Sequence, residues 1–153
     1  LKSGEYNENK VGVVWSGGRG SDFTGYETID NSGGCIVGFC TDNDYRREFN
    51  LKQDPLQSFA EFCFGGRNNL DFNGSSSVAE REYKLTGAKG IVIYSYAGCY
   101  VSNIGDELQR EYFKKKGIPA LAMEGSFQAG EPSGQLITRV RAFIEMLQGG
   151  VEG

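Results

Sequence analysis

The residues able to do chemistry in this 153-residue chain are defined first by a gap: it has four cysteines and no histidine. No Ser–His–Asp triad, imidazole base or histidine metal ligand can be built from it. The thiols are Cys35, Cys40, Cys63 and Cys99, and no two have the C-x-x-C spacing of zinc and redox sites. Cys35 and Cys40 fall on one predicted strand. At about 3.3 Å per residue that separates them by roughly 16 Å, on opposite faces, too far to share a compact cluster. Cys35 reads as a small core hydrophobe, and so does Cys63 on the apolar stripe of a helix. Cys40 ends its strand away from the centre of the fold and reads as packing. Cys99 is different. It closes "GIVIYSYAGCY", an apolar run that stops on Gly98–Cys99–Tyr100. Alone it can be a nucleophile without a histidine partner, a single metal ligand that needs further thiolates from outside the chain, or neither.

A second feature is "SGGRGS" at 16–21. It matches neither G-x-x-x-x-G-K-S/T nor G-x-G-x-x-G. It reads either as a tight strand-to-helix turn or as backbone amides that approach an anionic group together with Arg19. Tyr94 and Tyr96 read as packing, "RRE" at 46–48 as surface, and "EYFKKK" as a solvated helix face.

The elements that must position these residues alternate. Strands are predicted at 11–15, 35–39, 90–96 and 119–123. Their short, continuous apolar runs suit strands buried on both faces. Helices are predicted over about 24–32, after the Asp54 cap and Pro55, over about 78–86, after a cap at Ser102 or Asn103, and from near Pro132. The Ser102/Asn103 helix then has acids in its first turn and lysines in its last. Leu56, Phe59, Ala60 and Cys63 recur at helical spacing, as do Leu136, Val140, Phe143, Ile144 and Leu147. "GGRNNLDFNGSSS" at 65–77 reads as a loop. Alternation of this kind implies an α/β three-layer sandwich, with a four-stranded parallel sheet in the order 2-1-3-4. Ligands bind such sheets beyond the strands' carboxyl ends, where the winding reverses. That point brings "SGGRGS" and "AGCY" face to face.

Charge and composition remove other classes. The formal net charge of −4 argues against binding nucleic acid through phosphates, and no apolar run reaches membrane-span length. An αβ pattern with no visible signal peptide predicts reduced thiols in the cytoplasm. A first residue of Leu1 rather than Met suggests a processed or excised piece. Residues 1–9 read as a flexible start or linker, 10–149 as one domain, and 150–153 as a tail.

"KKKGIPALAMEGSF…SGQLITRVRAFIEML", "TGAKGIVIYSYAGCY", "DPLQSFAEFCF" and "AEREYKLTGAKG" together resemble subunits of the 2-hydroxyacyl-CoA dehydratase and benzoyl-CoA reductase family. The matching positions at the carboxyl end are Gly117, Ile118, Pro119, Gly134, Gln135, Thr138, Arg139, Ala142, Phe143, Glu145 and Met146. The resemblance implies a carboxyl-terminal-type flavodoxin-like domain of a larger subunit. It implies a 4Fe–4S cluster for which Cys99 is one ligand and the others lie outside this chain, in a missing amino-terminal half. Ser16, Gly17, Gly18 and Tyr100 would then sit near substrate or around the cluster. The implied reaction is radical. An ATP-dependent iron–sulfur activator supplies one electron, which reaches the thioester carbonyl of a 2-hydroxyacyl-CoA, and the ketyl radical expels hydroxide. Three thiolates rather than four would leave one iron open to substrate oxygen. A second dehydratase subunit is the implied partner, and the isolated domain would be inactive. The Gly98–Cys99 pair is closer to the dehydratases than to the ring-reducing or double-cluster reductases, which are the alternative within the family. A scaffold domain that has lost the cluster is the alternative outside it. The sequence departs from the family pattern at Ser126, in the stretch "QAGEPS", and in lacking the amino-terminal cysteines.

Overall fold

Strand β1 (Val11–Gly17) has apolar residues on both sides, so both faces of the sheet must be covered. The computed structural model describes residues 9–18, 24–40, 49–64, 72–125 and 133–150. In it β1, β2 (Gly34–Cys40), β3 (Gly90–Tyr96) and β4 (Ala120–Gly125) form one parallel sheet in the order β2-β1-β3-β4. Helices α1 (Thr24–Asn31) and α5 (Gly134–Gln148) cover one face, and α3 (Phe72–Thr86) and α4 (Tyr100–Lys115) cover the other. Helix α2 (Pro55–Phe64) falls between β2 and α3 in the chain and packs only lightly on the other elements. The three-layer arrangement and strand order are those predicted from the sequence. No helix among the described residues is long and apolar enough to cross a membrane.

Each strand divides its side chains between two cores. Val13, Trp15, Val92 and Tyr94 meet the α5 stripe of Val140, Phe143, Ile144 and Leu147. Val14, Ile91 and Ile93 meet Ala79 and Phe113 from α3 and α4. Strand β4 lies at the sheet's edge. The Pro119 and Gly125 carbonyls accept from Ile91 and Ala97 N–H groups at 2.9 Å, so alternation turns the Ala122 carbonyl outward. Arg139 Nη2 donates to that carbonyl at 2.6 Å. A charged group here blocks strand addition from another molecule, which gives a physical role to an arginine singled out above only by resemblance.

Several expectations are corrected. Helix α3 begins at Phe72, inside the stretch read as a loop. Ser76 and Ala79 are wholly buried, and these small residues let the helix lie close to the sheet. Packing thus overrides the weak helix propensity of a Gly-Ser run. Helix α4 begins at Tyr100 with Cys99 as its N-cap, not at Ser102 or Asn103, so its first turn holds no acid. The last helix starts at Gly134, where Leu136 N–H donates to the Ser133 cap at 3.2 Å. Cys35 and Cys40 share a face. Val13 pairs with Ile36 but Val14 pairs with Gly38, so Val37 is an extra residue that flips the alternation. Cys35, opposite Gly12, and Cys40, opposite Ser16, are still roughly 13 Å apart along the strand. Cys35 is half-buried, and burial pushes its thiol pKa up. Cys63 is exposed, not core. The readings placed on Arg19, 46–48, 65–71, Ser126, Pro132 and the two chain ends (1–8 and 151–153) fall outside the described residues.

The two helices on the α3–α4 face are tied through Glu80. Its Oε2 accepts from Lys116 Nζ at 2.6 Å and from the Tyr112 hydroxyl at 2.9 Å, and its Oε1 accepts from Lys84 Nζ at 2.7 Å. The Lys116 hydrogen bond, then that of Lys84, holds the Glu80 carboxyl down at about 2. A folded-state value below the unfolded one stabilises the fold above the unfolded pKa, and the gain is lost as pH falls through the folded value. Glu80→Gln should therefore lower stability by about 1–2 kcal/mol at neutral pH, discounted for the partly exposed lysines. Denaturant melts at successive pH values should show the gap between variant and parent closing from pH 4.5 down to about 2. A gap that does not change with pH would contradict the assignment.

Candidate functional site

Strand β3 pairs with β1 on one side and β4 on the other, while β2 lies beyond β1. The winding therefore reverses between β1 and β3, and the crevice beyond their carboxyl ends is where open parallel sheets bind ligands. The two ends touch. Gly17 pairs with Tyr94, and Gly18 N–H donates to the Tyr94 carbonyl at 2.9 Å. Gly17 has φ +115°, and a Cβ there would lie 2.1 Å from the Tyr94 carbonyl oxygen. A Cβ on Gly18 would lie 2.8 Å from the Tyr96 ring. Trp15 Nε1 donates to the Gly18 carbonyl at 2.6 Å. Close packing thus accounts for both glycines. The rings beneath them form a continuous wall, with Trp15 4.7 Å from Tyr94 and Tyr94 5.7 Å from Tyr96 between centroids.

Past Tyr96 the chain turns sharply. Cys99 N–H donates to the Tyr96 carbonyl at 3.0 Å, and Gly98, the third residue of the turn, has φ +84°. That is the position a type II turn reserves for glycine. Ala97 N–H donates to the Gly125 carbonyl at 2.9 Å and ties the turn to the end of β4. Cys99 then enters α4 in an extended conformation, φ −85° and ψ 93°, and its side chain does not cap the helix amides. Ala97 and Gly98 are exposed and Cys99 is half-buried. At a helix N-terminus, aligned amides favour a negatively charged group.

The structure thus brings Gly17 and Gly18 against the strand that carries Cys99. Tyr100 opens α4 directly after the thiol. Ser16 lies beneath the rim, between Cys40 and Ile93 in the sheet. It is wholly buried, and its hydroxyl has no hydrogen-bond partner among the described residues. The other thiols are elsewhere: Cys40 points its sulfur at the Val78 carbonyl 3.7 Å away, Cys35 lies toward the amino end of β2, and Cys63 is on α2. Among the described residues, no group of three or more His, Cys, Asp or Glu could hold a metal ion. A 420 Å³ cleft lined in part by Asp106, Glu124 and Arg139 lies beside β4, not at the β1–β3 crevice. Sequence reasoning missed Tyr94 and Tyr96 as the surface that the Gly17–Gly18 turn rests on. The readable signal was a Gly-Gly pair leaving one strand and a Tyr-x-Tyr pair leaving its neighbour.

The family description "2-hydroxyglutaryl-CoA dehydratase, D-component" matches residues 2–147, nearly the whole chain. The chain belongs to this dehydratase family. No curated protein matches it. As a 2-hydroxyglutaryl-CoA dehydratase D-component family member it is one component of a hydro-lyase, a part that works with other subunits.

Two glycines of this dehydratase component separate backbone strain from crowding. A Cβ on Gly98 meets nothing within 4 Å, so Gly98→Ala should cost about 1–2 kcal/mol from the positive φ alone. Gly17→Ala adds a collision with backbone and should cost about 3 kcal/mol or more. Chemical denaturation of both variants checks the ranking; equal costs would mean that the β1–β3 approach is looser than described.

Proposed function

We propose that this chain supplies Cys99 as one thiolate ligand of a 4Fe–4S cluster in a 2-hydroxyacyl-CoA dehydratase, with the remaining ligands coming from protein outside the described residues. The observation that carries the reading is the position of Cys99: a half-buried thiol on a glycine turn, at the carboxyl edge of the strand beside the winding reversal. The fit is that of a single ligand. Exposed Ala97 and Gly98 leave room for a bulky group to approach the sulfur. The first amides of α4 offset the charge of a thiolate.

When bound, the cluster would supply the one-electron transfer that lets a 2-hydroxyacyl thioester lose water. The chain's own contributions are simpler. The Tyr96–Cys99 turn, with Gly98 at positive φ, places the Cys99 backbone at the rim. The packed rings of Trp15, Tyr94 and Tyr96 support the rim from beneath. Gly17 and Gly18 keep side chains off the β1 side of the crevice. An ATP-dependent iron–sulfur activator, a second subunit and an acyl-CoA substrate complete the proposed system, working in the cytoplasm.

Serine is a favoured N-cap residue, so Cys99→Ser should fold as well as its parent. Co-expressed anaerobically with the rest of the dehydratase, it should lose more than half of the bound iron and sulfide and all dehydration of 2-hydroxyacyl-CoA. Cys63→Ser should keep both. Equal iron in Cys99→Ser and parent would remove Cys99 from the ligand set and favour a scaffold domain without a cluster.

A further inference from the structure

Helix α2 is inside out. At 100° per residue, Leu56, Phe59, Ala60, Cys63 and Phe64 fall within an arc of about 140°. Ser58 lies on the opposite side and is the buried residue of the helix. Its hydroxyl has no hydrogen-bond partner among the described residues, a cost that folding ordinarily avoids. The apolar stripe points away from the body instead: Leu56 is 76% exposed, Phe64 74% and Phe59 55%. Leu51, just before the helix, is 93% exposed. Phe49 stacks on Phe62 at 4.2 Å and lies 6.5 Å from Phe59, so the segment has aromatic packing of its own. Strand β2 ends and helix α3 begins at the carboxyl edge of the sheet, the edge that carries Cys99.

We propose that this outward stripe is the docking surface for a partner component of the dehydratase, one that offers an apolar surface with a basic rim. The size fits. The exposed Leu and Phe side chains offer on the order of 600 Å² of apolar surface, at the upper end of what a monomer ordinarily leaves open and a large part of one partner's share of a standard interface. The family is by description a component, so another polypeptide must meet it somewhere. A second copy fits less well. A two-fold contact sets the same patch against itself, so the rim that carries Asp54 and Glu61 would meet a rim of the same composition, on chains that each carry −4. Membership of the family carries this inference, not the cluster, and binding can be measured without iron.

The test mixes the full chain with the purified partner component of the same dehydratase and follows the complex by analytical ultracentrifugation and hydrogen exchange. The expected result is a mixed complex with slowed exchange over residues 49–64. The double variant Leu56→Asp/Phe64→Asp changes only exposed positions, so it should keep the parent's circular dichroism and Tm while the Kd rises at least 30-fold. Exchange on the parent chain keeps the proposal exposed to refutation even if the variant misfolds. Unchanged exchange over 49–64 in the complex, an unchanged Kd in a folded variant, or self-association of the chain alone that the variant abolishes would each overturn it. Binding that survives Cys99→Ser separates this surface from the cluster reading.

Discussion

The turn from Tyr96 to Cys99 depends on Gly98 holding a left-handed dihedral that side chains penalise. With φ at +84°, the Cys99 amide closes onto the Tyr96 carbonyl, and helix α4 starts one residue later. Place another residue at 98 and either the backbone is strained or the turn opens, and the thiol no longer leaves the sheet where it does. The Ala97 amide anchors the same turn to Gly125 on β4. The position of the Cys99 backbone is therefore set by backbone hydrogen bonds.

The neighbouring strand completes the rim by giving up side chains. Gly17 and Gly18 pass so close to Tyr94 and Tyr96 that no Cβ fits. The aromatic wall below them belongs to the core on the α1–α5 side. The opposite face carries buried Ser16, Ser76 and Ser95 among its apolar residues. The crevice thus has a rigid aromatic support on one side of the sheet and a more polar one on the other.

The sequence was most legible where burial leaves one solution. Runs buried on both faces, such as "VGVVW" and "GIVIY", made the strands and their parallel order readable, and the α5 stripe named its own buried face. It was least legible where packing overrules local preference. "FNGSSS" has the composition of a loop and becomes helix because Ser76 fits under it. The one-residue bulge at Val37 reversed the relation of Cys35 to Cys40, since alternation carries no mark of an inserted residue. Helix α2 misled in another way. Its apolar stripe was correctly seen, but periodicity reports that a face is apolar and not which body covers it. At the candidate site, Cys99 and the glycine turn could be read from topology. The Tyr94–Tyr96 wall and the type II turn could not, because both depend on how closely two strands approach.

The most direct measurement is an anomalous difference map at the iron edge, from crystals of the intact dehydratase grown without oxygen. The expected result is an iron peak within bonding distance of the Cys99 sulfur, at the mouth between β1 and β3. Iron bound elsewhere with the Cys99 sulfur turned into side chains, or no peak near this rim, would contradict the assignment of Cys99 as a ligand and leave only the fold and the family standing.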